Sequence, residues 1–248
     1  MKISHMNVEV TNECNLHCNY CFNDSGVKGK YELSLNDWKG LIDTGQKYGA
    51  KSILITGGEF MKRNDSLEIL NFSINKGLET SILSNGYKIG SIEKNILQGL
   101  QKAQISLDSY NPTIHDSQRG EGSWRIAINA INRLRNYGVP TEISSTLNSS
   151  NLTELNGLVR IAKETGSKLL LRPIQKIGRN ESGDELSTKE LKNAISSRKN
   201  ISINDSFSYV PIAQNQDRDN LEKGIVTILP NGQVRGMSKS FREFLNVA

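Results

Sequence analysis

Apolar residues follow two different periods along the chain, and the two periods alternate. Short apolar runs predict strands at residues 7–11, 51–56, 79–84, 103–107, 141–147 and 168–172. Apolar residues spaced three or four positions apart predict helices at residues 34–48, 66–76, 92–100, 123–137, 152–165 and 187–197. Strands that alternate with helices imply a parallel sheet with right-handed crossovers.

This alternation gives six strand–helix units within residues 1–199. Because a closed barrel of this kind needs eight such units, the pattern predicts an open α/β fold, a partial (β/α)6 barrel. Residues 200–248 form the second predicted unit, a small appendage that covers the barrel. Its features are a β-hairpin with strands at 225–229 and 233–237, a turn at Pro230-Asn231-Gly232 and a short terminal helix.

The composition narrows the class of protein further. The chain has 248 residues with 31 basic and 26 acidic side chains, and the basic residues are scattered, which disfavours nucleic acid as a partner. No apolar run reaches the roughly 18 residues of a membrane span, and the N-terminus lacks the apolar stretch of a signal peptide. We therefore predict a cytoplasmic protein without a membrane partner.

All three cysteines, Cys14, Cys18 and Cys21, lie within eight residues of one another. An odd, clustered set does not suit a disulfide scaffold and is typical of metal ligands. One interpretation is a zinc site with His17 as the fourth ligand. Another is a [4Fe–4S] cluster, in which three thiolates leave one iron open to a substrate or cofactor. Three unrelated buried cysteines are the remaining alternative.

Polar residues and glycines stand at the ends of several predicted strands. The first strand leads into the cysteine loop, the second ends at Gly57-Gly58-Glu59, the third ends at Ser84-Asn85-Gly86, and the fourth carries Ser106 and Asp108. Ligands of parallel α/β folds bind at the carboxyl ends of the strands. The two glycines permit a close backbone approach, and the Glu59 carboxylate is suited to pair with an ammonium. Each motif alone is a common turn or strand end, whereas their order after successive strands favours one shared site.

The cysteine motif CNLHCNYC, with its C-x3-C-x2-C spacing, resembles that of the radical S-adenosylmethionine (SAM) superfamily. GGEF at 57–60 resembles the family's Gly-Gly-Glu motif, which binds the methionyl amino group, although Phe60 replaces the usual proline. Tyr20 occupies the family's aromatic position near adenine. The resemblance further implies that the ribose and carboxylate of SAM are contacted by Ser84, Asn85, Ser106, Asp108 and, at a helix start, Ser123.

The resemblance also implies the cofactors, one [4Fe–4S] cluster on the three cysteines and one SAM. In the family, reductive cleavage of SAM yields methionine and a 5′-deoxyadenosyl radical, which takes a hydrogen atom from the substrate. An electron donor such as flavodoxin or ferredoxin is implied as a partner. No side chain is assigned as a catalytic acid or base, and His115 and Asp116 are interpreted as a hydrogen-bonded loop pair.

The segment at 105–134 resembles the SPASM/twitch branch of the superfamily, which includes peptide maturases and PqqE-like proteins. The tail segment GIVTILPNGQVRGM resembles that branch's extension but lacks its cysteines, so no auxiliary cluster is expected. A ribosomally made peptide is the predicted substrate. A small molecule in cofactor or natural-product biosynthesis is the first alternative, and a non-catalytic, degenerate member is the second. Because the chain begins directly with the first strand, a peptide is expected to need either a separate leader-binding protein or a different docking surface.

Three basic residues lie at or after the end of the sixth predicted strand, namely Arg172, Lys176 and Arg179. Their position is on the ligand side of a parallel sheet. Arg172 is the candidate ligand for a substrate carboxylate or phosphate. A solvated basic loop is the alternative interpretation of all three.

Overall fold

The computed structural model describes residues 2–174, 176–180, 186, 189, 190, 193 and 224–235. Within these residues, strands and helices alternate as the apolar pattern predicts. The strands are His5–Glu9 (β1), Ser52–Thr56 (β2), Glu79–Ser84 (β3), Lys102–Ser106 (β4), Thr141–Leu147 (β5), Lys168–Pro173 (β6) and Ile225–Ile228 (β7). The helices are Leu35–Lys47 (α1), Ser66–Asn75 (α2), Lys94–Gln98 (α3), Pro112–Arg119 (α4), Ser123–Asn136 (α5) and Leu155–Thr165 (α6).

All seven strands belong to one sheet, in the order β6-β5-β4-β3-β2-β1-β7. Every neighbouring pair is parallel. The sheet is open between β6 and β7, so the prediction of a partial α/β barrel is confirmed. Parallel strands place their carboxyl ends at one edge, and this edge therefore gathers the loops that the sequence marked as chemically important.

Strand β7 differs from its predicted role in a separate hairpin. It pairs in parallel with β1, from His5 opposite Ile225 to Val8 opposite Ile228, and so extends the main sheet. The predicted hairpin is present in the described residues: Ile228 and Val234 form an antiparallel bridge, and backbone N–H groups donate from Leu229 to Gln233 at 2.8 Å and from Arg235 to Thr227 at 2.9 Å. What the prediction missed is the pairing of the first hairpin strand with β1. The physical reason is that β1 would otherwise expose an unpaired edge, which β7 covers with apolar side chains that are fully buried.

Several predicted features near the C-terminal end of the chain lie outside the described residues. These are most of the helix at 187–197, the end of the second hairpin strand at 236–237 and the terminal helix. The division into two domains at residue 199 therefore stays a prediction. None of the helices within the described ranges has the length and apolar character needed to span a lipid bilayer.

The two faces of the sheet differ in chemistry because side chains alternate between them. The outer face packs against the helices through residues that include Met6, Val8, Ile53, Ile55, Ile82, Ala103, Ile105 and Ile143, all fully buried. The opposite face, which we call the inner face, is largely polar and includes His5, Asn7, Ser52, Thr56, Ser81, Lys102, Gln104, Ser106, Glu142, Ser144, Thr146 and Arg172. A parallel strand buried on both faces is normally apolar throughout. The polar inner face is therefore suited to a ligand.

Helix α4 is an element that the apolar pattern does not predict, because it is short and mostly polar. Asn111 precedes it and accepts a hydrogen bond from the backbone N–H of Thr113 at 2.9 Å, and Pro112 opens the first turn. The Asn-Pro pair was the available signal for this helix start. The helix ends at Arg119, which lies against the cysteine loop.

Candidate functional site

The cysteine loop, residues 12–26, follows β1 and closes on itself. The backbone N–H of Cys14 donates to the Gly26 carbonyl at 2.9 Å. All three cysteines are free and half-buried. Two of their sulfurs accept backbone hydrogen bonds, Cys14 from Leu16 at 3.4 Å and Cys21 from Ser25 at 3.3 Å. Amide N–H groups aimed at sulfur are among the features that tune protein-bound iron–sulfur clusters.

Gly57 and Gly58 allow the end of β2 to lie directly against the cysteine loop. A Cβ at Gly57 would stand 2.5 Å from the Thr11 carbonyl oxygen, and one at Gly58 would stand 2.5 Å from that of Glu13. The backbone N–H of Gly58 donates to Thr11 at 2.8 Å. The close approach that these glycines permit is thus an approach to the protein's own backbone, which fixes the loop on the sheet.

The Glu59 carboxylate is buried, with 1% of the residue exposed. The Ser84 hydroxyl donates to both carboxylate oxygens at 3.0 and 2.9 Å, and the backbone N–H of Asn85 donates to one of them at 2.8 Å. No basic side chain contacts it among the residues that the structure describes. Burial raises the pKa of Glu59 to about 7, although these hydrogen bonds act in the opposite direction. Glu59 is therefore a buried carboxylate held only by neutral donors.

Asn85 connects this carboxylate to the cysteine loop. Its Nδ2 donates to Asn15 Oδ1 at 3.0 Å and lies 3.9 Å from the Cys14 sulfur. Its backbone N–H faces Glu59, as described above. The structure thus brings together three residues predicted to contact SAM, Glu59, Ser84 and Asn85, directly beside a predicted cluster ligand.

The Asp108 carboxylate is also fully buried, but its partners are different. Arg119 forms a two-point ion pair with it, Tyr20 donates its hydroxyl to it, and Thr146 donates its backbone N–H at 2.7 Å. Burial acts to raise the pKa of Asp108, but the Arg119 charge, the Arg119 hydrogen bonds and the other neighbours together outweigh burial and hold this pKa below its ordinary range. The chain itself therefore satisfies both Asp108 and the Tyr20 hydroxyl.

Sequence reasoning missed Arg119, the cation of this pair. It lies eleven positions after Asp108, at the end of the unpredicted helix α4. Its guanidinium stands 5.7 Å from the centre of the Tyr20 ring, and its carbonyl faces the Cys18 sulfur at 3.8 Å. Arg119 thereby joins the cysteine loop to the carboxyl end of β4.

A carboxylate of the protein, that of Asp116, binds at the N-terminal end of helix α5, where Ser123 lies. The Asp116 carboxylate accepts hydrogen bonds from the backbone N–H groups of Gly122 and Trp124, each at 2.8 Å, and from the Ser123 hydroxyl at 3.1 Å. His115 accepts the Asp108 backbone N–H at 3.1 Å, and burial lowers its pKa to about 4. The two residues interpreted as a loop pair thus organise separate parts of the site.

The basic residues in and after β6 have different partners, as Arg179 and Arg172 show. Arg179 donates to the carbonyl of Cys18 at 2.8 Å and to Asp24 at 2.9 Å, and its backbone N–H donates to the Cys21 carbonyl at 2.9 Å. It therefore braces the cysteine loop. Arg172 lies on the inner face, where its Nη2 donates to Gln104 Oε1 at 3.1 Å. Ser106, the last residue of β4, is half-buried on the same face.

The surroundings of the cysteines fit an iron–sulfur cluster. Burial raises the pKa of Cys14 to about 11, and the charges of Glu59, Cys18 and Cys21 act in the same direction. Three thiolates at this site therefore need a cationic group to stabilise them, which cluster irons supply. Among the described residues, no group of three or more His, Cys, Asp and Glu side chains is arranged around a single metal ion, and His17 is exposed.

Residues 8–156 match the family model described as the Radical SAM superfamily. The chain belongs to the radical SAM superfamily. The members of this superfamily are enzymes that use SAM and an iron–sulfur cluster, so the prediction of an enzyme is confirmed at the level of the superfamily. The match covers β1 to the start of α6 and includes the cysteine loop, Glu59 and Asp108.

Two similar proteins illustrate the range of this radical SAM group. The AdoMet-dependent heme synthase of Methanosarcina barkeri is 31% identical over 188 residues, which are 72% of this chain and 53% of that protein. The mycofactocin maturase MftC of Mycolicibacterium smegmatis is 29% identical over 174 residues, 69% of this chain and 44% of that protein. The chain thus spans about half the length of these relatives. The presence of maturases among them confirms the resemblance to the peptide-maturase branch.

Solved radical SAM structures share the fold. Streptococcus suis SuiB bound to S-adenosylmethionine superposes with a TM-score of 0.75 at 14% identity, covering 96% of this chain and 60% of that chain. SuiB bound to the precursor peptide SuiA gives a TM-score of 0.74 at 15% identity, covering 99% of this chain and 61% of that chain. At such low identity the likeness concerns the fold alone.

Proposed function

We propose that the chain binds one [4Fe–4S] cluster through Cys14, Cys18 and Cys21, binds SAM beside it, and removes a hydrogen atom from a ribosomally made peptide. When bound, the cluster supplies the electron that cleaves SAM and so generates the radical that attacks the substrate. The observation that carries this proposal is the buried Glu59, which has no cation among the described residues and which Asn85 connects to Cys14, one of the three free thiols.

The role of Glu59 follows from its surroundings. Ser84 and Asn85 fix both carboxylate oxygens, so the group is held in place before a ligand arrives. An ammonium at this position forms a charge-assisted hydrogen bond, which is stronger than a neutral one and favours the ionised carboxylate. We assign Glu59 to the amino group of SAM, with Ser84 and Asn85 as the residues that orient it.

The remaining predicted SAM contacts divide into two groups. Five residues are retained as proposed SAM contacts. Where their polar side-chain atoms already have partners, we assign the contact to the backbone or the aromatic ring. These residues are Gly57, Gly58, Ser106, Tyr20 and Ser123. Asp108 we assign instead to positioning, because Arg119, Tyr20 and Thr146 satisfy its carboxylate. It holds the cysteine loop on the sheet without needing a ligand.

A peptide substrate is supported by the names of similar proteins. These include the mycofactocin maturase MftC and the PqqA peptide cyclase of Ruegeria pomeroyi. Similarity to AdoMet-dependent heme synthases favours a small molecule as the second candidate. A flavodoxin or ferredoxin as electron donor, a separate leader-binding protein and a cytoplasmic location complete the proposal.

Anaerobic reconstitution with iron and sulfide tests the first half of the proposal. We expect about four irons per chain, in line with one cubane cluster, and 5′-deoxyadenosine on addition of dithionite and SAM. Cys18→Ser is expected to abolish both. The matched control is His17→Ala, an exposed residue of the same loop, which is expected to retain both. A chain that binds one zinc and loses it in His17→Ala contradicts the proposal.

The second half concerns the substrate and needs a separate measurement. The reconstituted protein is incubated with a short peptide encoded beside its gene or with a haem precursor, and nucleoside production is followed. We expect the peptide to stimulate 5′-deoxyadenosine formation and to change in mass. Stimulation by the haem precursor alone would replace the peptide with the small-molecule alternative.

A further inference from the structure

Four polar side chains form a connected row across three neighbouring strands of the inner face. Lys102 on β4 donates to Glu142 on β5 at 3.1 and 3.2 Å. Gln104 on β4 donates to the same carboxylate at 2.9 Å. The other end of the Gln104 amide accepts a hydrogen bond from Arg172 on β6 at 3.1 Å. The row thus ends at Arg172, beside the carboxyl edge of the sheet.

This row contains two cations and one carboxylate. Glu142 is the partner of Lys102, and its charge also favours the ionised form of Arg172. Burial lowers the pKa of Arg172, and Glu142 opposes this effect only in part. The row therefore carries one positive charge in excess, and that excess lies at the half-buried Arg172.

The Arg172 guanidinium is also incompletely hydrogen-bonded. Its Nε is buried and has no hydrogen-bond partner among the described residues. An enclosed donor without a partner is costly, and more costly on a charged group. Arg119, the other half-buried arginine beside the site, has a carboxylate of its own in Asp108. In Arg119, one carboxylate binds both Nε and a terminal nitrogen of the guanidinium. Among the described residues, Arg172 has no carboxylate in that position.

We propose that Arg172, oriented by Gln104, binds a carboxylate group of the substrate on the inner face. The inference rests on the proposed function and names the chemistry of the group that the substrate presents. One excess positive charge matches one negative charge, so a monoanionic carboxylate suits the row better than a dianionic phosphate. The planar guanidinium also presents paired N–H groups that match a carboxylate's two oxygens.

The test uses the unreconstituted full chain and simple probes, so its outcome does not depend on radical chemistry. N-acetylglutamate α-amide presents a side-chain carboxylate, N-acetylalanine presents a chain-terminal carboxylate, and N-acetylglutamine α-amide is the neutral isostere. At about 20 mM probe and a Kd of about 1 mM, mass action predicts a rise in Tm of about 4–7 °C. We expect this rise with at least one carboxylate probe, which identifies the source, and not with the neutral probe.

Variants assign the effect to a residue. We expect Arg172→Gln to lose the Tm rise and Arg172→Lys, which keeps the charge but not the planar fork, to retain part of it. The matched control is Arg125→Gln, an exposed arginine of α5, which should keep the full rise. Equal stabilisation by the neutral probe, or an undiminished rise in Arg172→Gln, overturns the proposal. A tenfold weaker SAM affinity in Arg172→Gln would assign Arg172 to the cofactor and overturn it as well.

Failure of this inference is distinguishable from failure of the proposed function. A chain that shows the carboxylate effect but never yields 5′-deoxyadenosine retains the anion site and loses the radical reaction. A chain that yields 5′-deoxyadenosine but shows no carboxylate effect retains the reaction and loses Arg172 as a substrate ligand.

Discussion

Two buried carboxylates follow parallel strands of this sheet, and their surroundings are opposite. Glu59, after β2, is 1% exposed and receives hydrogen bonds from Ser84, Asn85 and Met61, with no cation beside it in the described part of the chain. Asp108, after β4, is fully buried and is paired with Arg119. Burial raises the pKa of Glu59 to about 7, whereas Arg119 and the other neighbours of Asp108 together overcome burial and lower the pKa of Asp108.

The contrast separates a carboxylate available to a ligand from one that the fold already uses. A buried negative charge without a counter-charge costs stability, and this cost is recovered when a cationic ligand binds. A buried ion pair with satisfied hydrogen bonds instead fixes the elements that carry it. Asp108 joins the cysteine loop through Tyr20, helix α4 through Arg119 and strand β5 through Thr146.

The largest expected effect is on the free energy of unfolding when the Asp108–Arg119 ion pair is broken. Asp108→Asn leaves Arg119 buried without its counter-charge, which we expect to lower the free energy of unfolding by about 3–5 kcal/mol. Urea unfolding of the cluster-free chain measures it. Asp43→Asn, which removes an exposed ion pair with Lys76, is the control, and we expect less than about 1 kcal/mol there. Equal losses in the two variants would remove the distinction between Asp108 and an ordinary surface pair.

The next effect concerns SAM affinity and Glu59. Glu59→Gln keeps the shape of the side chain and removes its charge, so a charge-assisted hydrogen bond of about 1.5–3 kcal/mol is lost. We expect SAM to bind about 10–100-fold more weakly to the reconstituted variant in anaerobic equilibrium dialysis. Glu154→Gln, at a buried carboxylate that accepts from Ser109, is the control and should leave the affinity unchanged. Unaltered SAM binding in Glu59→Gln would contradict the ligand role.

The smallest effect is the pH dependence that Glu59 gives to the cluster-free chain. Its folded-state pKa, about 7, lies above its ordinary value of 4.5, so the folded chain binds this proton more tightly than the unfolded chain. Stability is therefore greatest on the acid side and falls as pH rises through this window. From about pH 5.5 to about pH 8.5 we expect Glu59 to remove about 2 kcal/mol of stability.

Unfolding midpoints measured across that pH range test this prediction. We expect Glu59→Gln to show a smaller decline between the two pH values than the unaltered chain, because the titrating carboxylate is gone. Identical declines in the two proteins would show that Glu59 is already ionised throughout this range. In that case, its surroundings would not differ from those of Asp108 in the way described.

Local patterns explain why much of the fold and part of the site could be predicted. The alternation of apolar periods located the strands, and the spacing of Cys14, Cys18 and Cys21 with Gly57-Gly58-Glu59 indicated the family. Helix α4 was missed because its eight residues are too few and too polar for a clear period. The pairing of strand β7 with β1 was missed because short apolar runs carry no information on which strand edge they will cover.

The sequence by itself determined the order of strands and helices, the cysteine loop and the set of polar residues at the carboxyl ends of the strands. These depend on neighbours within a few positions along the chain. Only the tertiary structure decided which carboxylate receives a cation and which cation lacks a carboxylate. Arg119 reaches Asp108 across 11 positions, and Arg172 reaches Gln104 across 68. Charge and burial act through space, so the protonation and availability of each group are properties of the folded arrangement.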